Sequence, residues 1–78
     1  MAATTATLHR LEGLLKRHGL SLPQSHRWAL CEDLQGVREE GYPTLDDAWR
    51  ELLRRIGGRR NLVRYTNTLV PPQARLPH

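Results

Sequence analysis

The segment Leu45–Ile56 carries the strictest hydrophobic period in the chain. Leu45, Ala48, Trp49, Leu52, Leu53 and Ile56 fall within about 140° of a helical wheel turning roughly 100° per residue. Thr44 precedes the stripe in N-cap position. Asp46 and Asp47 stand where the helix dipole favours acids, and Arg54 and Arg55 where it favours bases. Asp46–Arg50 and Glu51–Arg55 are four apart with the acid first, the stabilising order. Gly57-Gly58 then stops the helix. One apolar stripe needs others to cover it, and two earlier segments supply them.

The first of these runs from about 7 to 18. Leu8, Leu11, Leu14 and Leu15 share one face, Lys16, Arg17 and His18 fill the last turn, and Gly19 ends it. The second, about 22–40, opens on Ser21-Leu22-Pro23-Gln24, which matches a capping box. Trp28, Leu30, Cys31, Leu34 and Val37 occupy half of its wheel. Gly36 marks a bend or a break, and Gly41 is the stop.

After Gly58 the pattern changes. Residues 62–70 are rich in β-formers, and as a strand they would put Val63, Tyr65 and Leu69 on one face. A lone strand cannot satisfy its backbone, so this segment pairs with another chain, packs as coil, or is a short helix. Pro71-Pro72 ends regular structure. The expected fold is all-α: a small three-helix domain with helices at about 7–18, 22–40 and 45–56, an Arg-rich turn and an extended C-terminal tail. Residues 1–70 make one helical domain, and 71–78 a flexible Pro-rich terminus.

A chain of 78 residues holds one domain and buries only about 60% of its unfolded surface. That size excludes the larger cofactor-binding architectures. Three amphipathic helices with a thin core leave apolar surface, which favours a homodimer or docking on another protein. Cys31 is the single cysteine, so no intramolecular disulfide forms. With no secretory pattern at the start and no apolar run of the roughly 20 residues that span a bilayer, the expected location is cytoplasmic, away from membranes.

Catalytic and metal chemistry find little footing. The four histidines are not at paired-ligand spacing and read as surface residues. Cys31 lies on an apolar arc and reads as core. Asp46 and Asp47 diverge by about 100° on their helix and read as dipole partners, not as an acid–base pair. Gly57-Gly58-Arg59-Arg60 lacks the spacing of a phosphate-binding loop and follows a helix instead of opening one. No catalytic residue, cofactor or metal ligand is therefore assigned.

Charge gives the one functional signal. Eleven Arg and one Lys oppose eight acids, for a net charge of +4. Residues 1–40 are neutral overall, so the excess lies in 41–78. Arg54, Arg55, Arg59, Arg60 and Arg64 follow one another without an intervening acid, with Tyr65 beside them. Guanidinium forks suit phosphate and carboxylate oxygens, and a Tyr ring anchors a contact. A helix-turn-helix reading of the second and third helices fails, because Asp46 and Asp47 would repel phosphates at the recognition end.

The expected function is that of a small non-enzymatic binding protein. It acts stoichiometrically as an inhibitor or regulator, using these six residues on an acidic protein surface or a protein–nucleic acid complex. The alternative is a small regulator that binds DNA or RNA directly through segment 54–64. Small size without catalytic residues is also common among the phage- or mobile-element proteins that block host machinery.

Overall fold

The computed structural model describes residues 4–77, which fold entirely as helices and connecting turns. Four α-helices follow in order: α1 Thr5–Arg17, α2 Gln24–Glu39, α3 Leu45–Ile56 and α4 Leu62–Asn67. Single 3-10 turns lie at Arg59–Asn61 and Pro72–Ala74. The all-α expectation holds, but the domain has four helices where the sequence suggested three.

α1 begins two residues before its expected start. The Thr4 hydroxyl accepts from Thr7 N at 3.1 Å, which caps the helix there. α3 has the expected bounds, with Thr44 Oγ1 accepting from Asp47 N at 3.1 Å and Gly57 left-handed at φ 87°. α2 begins two residues later than expected, and the Ser21–Gln24 capping box does not form. Pro23 is the N-cap residue and offers no side-chain bond. Proline drives the preceding residue extended, and here that residue, Leu22, is buried in the core. Gly36 neither bends nor breaks α2, which runs through it unbroken.

α2 is the central element, packed against α1, α3 and α4. Leu11, Leu30, Leu34, Leu52 and Leu62 are fully buried around it. Cys31 and Trp49 are core residues, as their positions on the apolar arcs implied. Trp49 also stacks on His18, with ring centroids 5.5 Å apart.

The segment after Gly58 turns back and becomes α4 instead of an extended tail. Asn61 Nδ2 donates to Ile56 O at 2.8 Å and closes the reversal. Leu62, Thr66 and Asn67 then face the interior as one side of a helix. A helix meets its backbone bonds internally, whereas a strand here would lack a neighbour. A six-residue helix is not stable by propensity, and burial of this face holds it. The chain beyond α4 is bonded to it. Asn67 Nδ2 donates to Leu76 O at 2.9 Å, Leu76 N donates to Asn67 Oδ1 at 2.8 Å, and Arg75 Nε donates to Asn67 O at 3.1 Å.

His26 corrects the reading of the histidines as surface residues. It is fully buried in α2, with Nε2 2.9 Å from Asn67 Oδ1 and Nδ1 3.3 Å from Ser25 Oγ. Among the described residues no helix is long and apolar enough to cross a membrane.

Candidate partner-binding groove

The basic segment does not form one open patch. α3 carries Arg54 and Arg55 to the same side as Glu51, three and four residues earlier. Arg54 donates to the Glu51 carboxylate from Nε at 3.0 Å and Nη2 at 2.6 Å, and Arg55 Nε donates at 2.7 Å. These bonds, those from Arg54 first, hold the Glu51 carboxyl down at about 2. Arg55 also reaches across to the C-cap of α2, where its Nη2 donates to Glu40 Oε1 at 2.8 Å. Its guanidinium lies 5.9 Å from the centre of the Tyr42 ring. Arg59 Nη1 donates to His18 O at 2.9 Å and so caps the end of α1. Arg60 and Arg64 are exposed and have neither hydrogen bond nor ion pair among the described residues. Three of the five arginines are thus engaged within the chain, and two are free.

Tyr65 is half-buried, packed on the core, and its hydroxyl donates to Asp33 Oδ2 at 2.5 Å. Burial first, and then this bond, push its phenol above the ordinary value.

These contacts frame a groove of about 690 Å³ between α2, α3 and α4. Its floor includes Gly36, Val37, Leu52 and Ile56. Two polar bridges cross from α2 to the opposite wall, Asp33–Tyr65 to α4 and Glu40–Arg55 to α3. Glu32 on one rim and Arg64 on the other line the groove without an ion pair among the described residues.

Of the six residues singled out in the sequence, Arg55, Arg64 and Tyr65 meet in this groove. Arg54 and Arg59 face other contacts, and Arg60 lies next to the groove residue Asn61. The acidic wall was missed. Its signal was present, because Glu32, Gly36 and Glu40 recur every four residues and Asp33 lies beside them, a single stripe on α2.

No group of three His, Cys, Asp or Glu side chains suited to a metal occurs among the described residues. The Cys31 thiol is pushed up by burial, and secondarily by Glu32, which disfavours the thiolate a nucleophile needs. The groove offers an apolar floor, two polar bridges, and a rim with Glu32 on one side and Arg64 on the other. No family model, curated protein or solved structure matches the chain.

Proposed function

We propose that this chain is a non-enzymatic binding protein that acts stoichiometrically, inhibiting or regulating a partner protein by docking it in the α2–α3–α4 groove. The observation that carries this reading is the placement of the free charge. The unengaged Arg64 lines an apolar groove, with Arg60 close by in sequence. Apolar floor with a charged margin is the anatomy of a protein interface, where burial supplies affinity and rim charge supplies steering.

Direct nucleic-acid binding has less support. Arg54, Arg55 and Arg59 are already hydrogen-bonded within the chain. A phosphate backbone following Arg64 would also meet Glu32, Asp33 and Glu40 on the facing wall. Such carboxylates oppose the counterion release that drives phosphate binding.

The test is a photo-crosslinking amino acid placed at Thr68, which lines the groove, and separately at Lys16, an exposed position on α1. The expected result in native cells is one discrete protein adduct from position 68 and none from position 16. Crosslinks to nucleic acid, or no adduct specific to position 68, would overturn the proposal.

A further inference from the structure

The groove carries opposite charge on its two margins. On the α2 margin Glu32 is exposed and has no ion pair among the described residues. Beside it, the Asp33 carboxylate accepts from the Tyr65 hydroxyl, a neutral group that leaves its charge unmatched. Glu40, the third carboxylate of the lining, is taken by Arg55. On the α4 margin Arg64 is exposed and unpaired among the described residues. Two carboxylates therefore oppose one guanidinium across the floor that holds Val37, Leu52 and Ile56.

This bipolar rim selects against any occupant of uniform charge. An acidic one would be repelled by Glu32 and Asp33, and a basic one by Arg64. The occupant that matches both margins carries an anion and a cation at the spacing of the groove itself. A second copy of the chain has that spacing by construction. A two-fold axis through the groove sets each margin against the opposite margin of the other copy. Arg64 of each copy then faces Glu32 and Asp33 of the other, so one favourable contact is made twice. The half-buried Ile56 of both copies is covered in the same step. For a domain this small, shielding further apolar surface is a large gain relative to its own core.

We propose that the free chain is a two-fold homodimer through this groove, joined by Arg64–Glu32 contacts in both directions, and that a docked partner must displace the second copy. The competition rests on the protein-docking reading above; the dimer itself does not.

The test is sedimentation velocity on the purified full chain at concentrations up to about 1 mM, near the weak end of the affinity scale. The expected species is a dimer that dissociates as salt rises. Arg64→Glu and Glu32→Arg should each weaken it at least about tenfold, because symmetry turns two attractive contacts into two repulsive ones. Lys16→Glu makes the same change in net charge as Arg64→Glu, at an exposed position on α1, and should leave the dimer intact. Mixing the two groove variants is the decisive step. The Glu32→Arg chain has unmatched cations on the α4 margin and at position 32, and the Arg64→Glu chain has anions at both places. Each repels itself and attracts the other, so an equimolar mixture should restore the dimer as a heterodimer.

A wild type that stays monomeric at about 1 mM, or a mixture no more dimeric than its components, would overturn the proposal. A foreign-protein adduct at position 68 beside a monomeric chain would leave groove docking standing and remove only the second copy. A dimer without such an adduct would keep the second copy and remove the docked partner.

Discussion

Among the described residues, His26 and Asn67 form the one fully interior polar link between α2 and α4. His26 Nε2 lies 2.9 Å from Asn67 Oδ1, an oxygen that also accepts from Leu76 N at 2.8 Å. An amide oxygen can only accept, so Nε2 carries the proton and Nδ1 is left to accept from the Ser25 hydroxyl at 3.3 Å. The Asn67 amide faces Leu76 with both its oxygen and its nitrogen, and the Leu76 backbone, one donor and one acceptor, fixes which is which. One buried asparagine thus ties the centre of the bundle to the chain beyond α4.

Asn67→Ala removes all three bonds and leaves the buried His26 donor without a partner. A buried unsatisfied donor costs about 1–3 kcal/mol, and the lost tail bonds add to it. The expected destabilisation is about 3 kcal/mol in urea denaturation, together with faster hydrogen exchange at the Leu76 amide. A loss below about 1 kcal/mol, or unchanged exchange at Leu76, would show that this link does not hold the tail.

Glu51 predicts an acid dependence. Its carboxyl is lowered from 4.5 to about 2 by the bonds from Arg54 and then Arg55. A depressed acid stabilises the fold above its unfolded value and loses that contribution as pH falls from 4.5 through 2. Urea midpoints followed down that range should therefore fall more steeply for the wild type than for Glu51→Gln. Parallel curves would mean that the arginine bonds are not formed in solution.

The three long helices were legible because each is amphipathic over at least three turns, and period alone identifies such a segment. α4 was not. Its composition, with Val63, Tyr65 and Thr66, favours strand, and its helical face of Leu62, Thr66 and Asn67 contains a single hydrocarbon side chain. Only contact with α2 and α3 makes that face an interior one. The basic cluster was legible as sequence, but its division was not. Whether an Arg is free depends on Glu40 and the His18 carbonyl, which the fold brings from 15 and 41 residues away. His26 was misread for the same reason, since its partner is 41 residues distant.

The Tyr65–Asp33 bridge is open to a direct test at high pH. The bond needs the phenol proton, and burial followed by this bond raises the phenol above its ordinary 10. Stability from a raised acid is present below the unfolded value and is lost as pH climbs beyond 10. Tyr65→Phe should cost about 1 kcal/mol at neutral pH and flatten the alkaline fall. If both proteins lose stability alike above that pH, the bridge contributes nothing to the groove wall.

Gly57 and Gly36 should respond to alanine with opposite signs. Gly57 ends α3 at φ 87°, and a Cβ there would lie 3.1 Å from Asn61 Nδ2. That nitrogen cannot retreat freely, because it donates to Ile56 O at 2.8 Å and so closes the turn into α4. Left-handed backbone costs a β-carbon residue about 1–2 kcal/mol, and displacement of Asn61 adds to this. Gly36 has helical backbone and open space around it, so alanine there stabilises by about 0.5–1 kcal/mol. Paired chemical denaturation of Gly57→Ala and Gly36→Ala reads the contrast directly. Equal and opposite displacement from the wild type is not required, but the signs are. A stabilising Gly57→Ala would mean that the turn feeding Arg59, Arg60 and Arg64 into place is not the one described, and a destabilising Gly36→Ala would mean that the space beside α2 at that position is not open.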